Sequence, residues 1–163
     1  MPYSAISVAN KFLELAKRDN KSLTNMQLQK LVYIAHGWSL AIVGEPLVRD
    51  EVQAWQWGPV IPSLYKALSK YGSGVVSDAI PTRDTPVPAD SKDSALIERV
   101  WVSYGKMTGP QLSAITHTNG TPWNKIRKET GGKPYETIPD HLIAEHYRQL
   151  LNERNRRTAT TIR

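Results

Sequence analysis

The chain has 163 residues, 40% of them hydrophobic and 22% charged, with a formal net charge of +6. That suits one globular domain with a core of its own and excludes wholesale disorder. Cysteine is absent, which removes disulfide scaffolds, thiolate metal sites and cysteine nucleophiles and fits a cytoplasmic protein.

From the start, Lys11, Glu14, Lys17 and Arg18 interrupt any signal-peptide core, and no stretch nears the ~20 apolar residues of a membrane span. Residues 4–18 place Ile6, Ala9, Leu13 and Ala16 at helical spacing with Phe12 alongside, an amphipathic helix. Thr24 and Gln27 then have the spacing of a capping box. The helix they open is predicted over 24–43, with Gly44 just past its end. Leu28, Leu31, Val32, Ala35, Ile42 and Val43 form its stripe, and Tyr33, Ile34, Trp38 and Leu40 spread apolar surface around the rest. A helix apolar on most sides is packed on most sides, so this one is the predicted centre of the fold.

After Glu45-Pro46 the pattern becomes extended. At a period of two, Val52 and Ala54 face one way while Trp55 and Trp57 face the other. Pro59 is expected in the first turn of a helix carrying Ile61, Leu64, Tyr65 and Leu68, which Gly72 stops. Residues 75–91 hold three prolines and read as a surface loop, beginning with a short strand at Val75–Val76. Leu96, Ile97, Val100, Trp101 and Tyr104 mark a helix over 92–105; Thr108 and Gln111 cap another, with Pro110 in its first turn. A turn and short helix follow over 118–128, and the last amphipathic helix spans Ile138–Arg154. The fold class is therefore mostly α: a single compact helical domain of about six or seven helices around the buried 24–43 helix, with a minor β element near 48–56. Its expected extent is 1–151, followed by a basic tail over 152–163.

The positive charge is concentrated late. Residues 123–134 carry Lys125, Arg127, Lys128 and Lys133 against Glu129, and residues 148–163 carry five arginines against Glu153, so the remainder is close to neutral. A basic tail can touch nucleic acid, but a solvated helix end explains it as well. The four histidines, His36, His117, His141 and His146, show no zincin spacing and single out no nucleophile; they read as hydrogen-bonders in helices and turns. Gly72-Ser73-Gly74 lacks the lysine of a phosphate loop and follows a helix. No catalytic set, metal site or cofactor is expected.

Tryptophan carries more information. Trp38 and Trp101 fall on predicted helix faces and belong to the core, while Trp123 follows Thr121-Pro122, where a ring plugs the end of a bundle. Trp55 is read mainly as packing and Trp57 equally as packing or as a binding anchor, since one indole buries much area at small entropic cost. Arg49 and Tyr65 are the nearby supporting candidates.

Residues 23–68 resemble the signature of the Panacea domain, the SocA-like family of bacterial and phage antitoxins. The pattern is Leu-Gln-Lys-Leu-x-Tyr at Leu28–Tyr33, Gly37-Trp38, Pro46-Leu47, Ala-Trp-x-x-Gly-Pro-Val at Ala54–Val60, and a later Thr121-Pro122-Trp123. The resemblance covers about residues 4–150. It implies a cytoplasmic, mostly helical, non-enzymatic antitoxin, encoded beside a small toxin and often in prophages, that neutralises the toxin by protein–protein binding. One branch of the family hands its toxin to a Clp-type protease. The residues proposed for partner contact are Trp57, Trp55, Arg49 and Tyr65. A phage protein that binds nucleic acid through the basic segments is the alternative.

Overall fold

Both capping boxes close as the spacing predicts. In the computed structural model, which describes residues 2–162, the elements are α1 (Ala5–Arg18), α2 (Asn25–Ile42), β1 (Gln53–Trp55), β2 (Gly58–Val60), α3 (Pro62–Leu68), α4 (Lys92–Tyr104), α5 (Gly109–His117), α6 (Pro122–Glu129), β3 (Glu136–Thr137) and α7 (Asp140–Ile162). Thr24 and Gln27 cap α2 reciprocally, and Thr108 and Gln111 do the same for α5, so each helix starts where its backbone donors are satisfied. Beyond α2, Gly44 takes the left-handed conformation (φ +84°) and returns its N–H to Ser39.

Fourteen of the eighteen residues of α2 are buried, and the run from Leu28 to Leu40 has no solvent face. The helices α1, α4, α5 and α7 surround it, as an all-round apolar sequence requires. Its closest neighbour is α7. Gly37 makes the approach possible, because a Cβ there would overlap the ring of Tyr147. That ring meets Trp38 edge-on at 5.1 Å and Tyr33 at 6.3 Å, giving an aromatic seam down the middle of the molecule. Trp38 and Trp101 are both buried.

The β element is larger than predicted and differently phased. β1 pairs antiparallel with β2 on one side and β3 on the other, in the order β2-β1-β3. Gln56 and Trp57 form the turn between β1 and β2, so Trp57 does not share a strand face with Trp55. Pro59 lies in β2 opposite Ala54, not in a helix. The helix proline is Pro62, three residues on. Either proline suits a helix start, but an edge strand also tolerates one, and the hairpin takes Pro59 first. The predicted strand at Val75–Val76 reduces to a single bridge between Thr24 and Val75. The 75–91 loop is nevertheless pinned: Asn10 exchanges two hydrogen bonds with the Ile80 backbone, and Ile80 and Val87 enter the core. At the C-terminus α7 starts at Asp140 and continues past Arg154 to Ile162. No helix among the described residues is long and apolar enough to cross a membrane.

Candidate partner-binding groove

A groove of about 1100 Å³ opens where the N-terminal ends of α2 and α5 meet the hairpin. Its walls carry Trp55, Trp57, Tyr65 and Tyr135, with Met26 at the α2 end and Arg127 from α6. Trp57 at the turn is 71% exposed and Tyr135 is 64% exposed. Trp55 is half-buried, held edge-on between Tyr65 at 5.0 Å and Tyr135 at 5.5 Å. Its indole N–H donates to Gln53, and its carbonyl accepts from the Trp123 indole. Tyr135 adopts φ +63°, a conformation L side chains avoid, at the end of a Gly-Gly-Lys-Pro turn. Such strain persists where the surroundings hold it, and it collects at binding sites.

Lys30 closes the floor beneath the hairpin. Its side chain rises from α2, is only 3% exposed, and donates one hydrogen bond of 2.8 Å to the Pro59 carbonyl. Among the described residues no carboxylate lies within ion-pair distance of it. Burial alone lowers its pKa to about 8. Gly58 makes room for it: the residue sits at φ +124°, and a Cβ there would stand 2.9 Å from the ammonium nitrogen. The positive φ is what favours glycine here; the lysine end would have to shift slightly for any side chain.

Three of the four residues singled out from the sequence come together here. Arg49 does not line the groove. It pairs with Asp84 of the 75–91 loop at 3.4 Å, and its backbone N–H bonds to the Tyr3 carbonyl. Sequence reasoning missed Met26, Lys30, Arg127 and Tyr135. For Lys30 a signal was present: in a helix apolar all round, a lysine has no solvent face to occupy.

Two of the four histidines, His36 and His117, act as hydrogen-bonders, while His146 packs edge-on against Tyr147 at 5.1 Å. His36 is buried, with Nδ1 accepting from the Leu47 and Val48 N–H groups and Nε2 donating to Asp140 at 2.9 Å. His117 has its Nδ1 2.5 Å from the Ser113 carbonyl, which fixes that nitrogen as a donor. It cannot then take a proton from the Ser113 hydroxyl, which itself donates to the Trp57 carbonyl. No three His, Cys, Asp or Glu side chains gather into a metal-binding group among the described residues. The basic segments are spread over separate contacts: Arg127 over the Trp123 ring, Lys128 to Asn119, Lys133 to Glu136 and Arg154 over the Trp38 ring.

Fold and groove together define a small α-helical domain wrapped around one buried helix, with its exposed aromatic residues collected on one face. The chain belongs to the Antitoxin SocA-like, Panacea domain family, whose model matches residues 28–124. It is also similar to "Antitoxin SocA" of Caulobacter vibrioides (strain NA1000 / CB15N), at 35% identity over 135 residues, covering 78% of this chain and 72% of that protein. No solved structure matches the chain. The matched span contains Lys30, the whole hairpin and Tyr65; Met26, Arg127 and Tyr135 lie beyond its ends.

Proposed function

We propose that this protein is a non-enzymatic antitoxin that neutralises a cognate toxin by direct contact through the aromatic groove. One observation carries the reading. Of the eight large hydrophobic residues exposed among the described residues, four (Met26, Trp57, Tyr65 and Tyr135) line this one groove. Scattered exposed apolar residues are ordinary, whereas a clustered set around a concavity is the mark of an interaction site. Family membership supports the antitoxin role and leaves the identity of the toxin open.

Occlusion of a toxin surface needs roughly 1,200–2,000 Å² of total buried area with a few aromatic anchors. Trp57 is the leading anchor, Trp55 and Tyr65 flank it, and Arg49, paired with Asp84 away from the groove lining, drops out of the contact set. The test is co-expression with the protein encoded beside this one, scored by growth, alongside direct titration of the pair. Trp57→Ala should weaken binding by at least about 2 kcal/mol and abolish growth rescue, while leaving the melting temperature close to the parent's because the ring is exposed. Normal binding by this variant would move the site off the groove. Rescue that depends on a Clp-type protease would make the protein an adaptor that delivers the toxin, using the same contact.

A further inference from the structure

We infer that the groove is built to receive an extended segment of the partner protein that places an acidic side chain on the Lys30 ammonium. The inference rests on the reading of the groove as the toxin-binding site and specifies what enters it. An ammonium has three donors. Lys30 uses one, on the Pro59 carbonyl, and no carboxylate approaches it within the described chain. Burying a cation without a counter-charge is unfavourable, yet this fold holds one at the foot of the hairpin, 3% exposed.

The surroundings match in sign. Among the described residues no aspartate or glutamate lines the groove, and its second cation is Arg127. The first turns of α2 and α5 both open onto it, adding the positive ends of two helix dipoles. Asn25, in the first turn of α2, is only 8% exposed and its Oδ1 has no hydrogen-bond partner among the described residues. A backbone N–H of an extended segment is the donor such an acceptor lacks. Rings at Trp55, Trp57, Tyr65 and Tyr135 supply apolar contact for the residues on either side of the acid. The volume is at the top of the range for small-molecule pockets, which leaves space for several residues of chain. A nucleic-acid strand is the poorer fit. Its backbone needs a track of cations, and here one of two is sunk beneath the floor.

The probe is a displayed library of random twelve-residue peptides tethered at their C-termini, so that only side chains offer a carboxylate. Enriched peptides should share an Asp or Glu beside apolar residues. Changing that acid to its amide in a synthetic copy should weaken binding at least about thirtyfold, the low end of the range for losing one partner of a buried charge pair. Lys30→Met should weaken the parent peptide similarly and no longer distinguish acid from amide, the coupling that identifies a direct pair. Because the acid-to-amide change alters only the peptide, the conclusion survives even if the protein variant folds poorly. Enrichment without acids, an acid-to-amide change without effect, or tighter binding by a twelve-nucleotide single strand at the same rings would overturn the inference. Should the acid prove irrelevant while Trp57→Ala still abolishes growth rescue, the groove stands as the toxin site and only the acidic segment falls.

Discussion

The two ends of α2 use the same kinds of residue for opposite ends. Toward its C-terminus, Tyr33 and Trp38 close on Tyr147 from α7, and Gly37 removes the one methyl that would hold the helices apart. Toward its N-terminus, Trp57, Tyr65 and Tyr135 stand around open space, and the residue beneath them is a buried lysine rather than a leucine. Aromatic content therefore does not separate the closed core from the open groove here. What separates them is whether a second helix covers the rings and whether the buried positions beneath are apolar. The seam is finished within the chain; the groove is a half-core with charge left over.

The sharpest way to break this contrast is at Gly37. Gly37→Ala puts a methyl into the Tyr147 ring within a packed interior that cannot yield freely. A loss of about 3 kcal/mol, at the upper end of the usual overpacking range, is expected in chemical denaturation. Tyr147→Leu introduced with it should recover part of that loss, since the smaller side chain vacates the contested space. If Gly37→Ala melts like the parent, the seam has room for a methyl and the two ends of α2 are alike in their packing.

Much of the seam was legible from the sequence. Capping boxes at Thr24–Gln27 and Thr108–Gln111 act through local hydrogen bonds, so spacing alone finds them. The all-round apolar character of α2 places it at the centre, and the core assignments of Trp38 and Trp101 follow from helical spacing. The groove was only half legible. Trp57 and Tyr65 stand out by residue type, but Tyr135 arrives from seventy residues away through β3, a two-residue strand too short to leave a pattern. Pro59 and Pro62 compete for the same helix start, and only the pairing of β1 with β2 decides between them. Arg49 looked close because it is close in sequence, yet the turn before β1 sends it to Asp84. Long-range pairing, not propensity, fixed each of these.

A smaller effect should come from the charge beneath the hairpin. Lys30 has its pKa lowered from 10.5 to about 8 by burial. Between those values the unfolded chain binds more protons than the folded one, so this residue makes stability rise with pH from about 8 to about 10.5. At pH 7 the lysine is charged in both states and its burial penalty is fully present. Lys30→Met should therefore stabilise the free protein at pH 7, by on the order of 2 kcal/mol, and remove that rise. The buried Tyr33 and Tyr147 hydroxyls, both pushed upward by burial, act in the opposite sense above pH 10, so the informative quantity is parent minus variant. A variant less stable than the parent at pH 7 would mean that Lys30 belongs to the finished half of the helix.

The smallest effect tests where the domain ends. We place its boundary after residue 151, although α7 runs on to Ile162. Arg154 lies beyond that boundary and is exposed, yet its guanidinium stacks 4.6 Å from the centre of the Trp38 ring and reaches the Tyr104 hydroxyl at 3.4 Å. Tyr104 in turn accepts the Trp38 indole N–H at 3.2 Å, so one exposed side chain lids the outer edge of the aromatic seam. An exposed cation–π contact is worth about 0.5–1 kcal/mol. Arg154→Ala should cost that amount, and Arg154→Lys should recover less than half of it, because an ammonium cannot lie flat on the indole while still reaching the hydroxyl. Truncation after Leu151 removes the same lid and should leave a cooperatively folding protein whose groove still binds the partner, since the seam and the groove lie at opposite ends of α2. If the truncated chain loses toxin binding while its melting temperature barely falls, the two ends of α2 are not separate in function. The basic end of α7 would then be part of the binding surface, and the groove would be one face of a larger site.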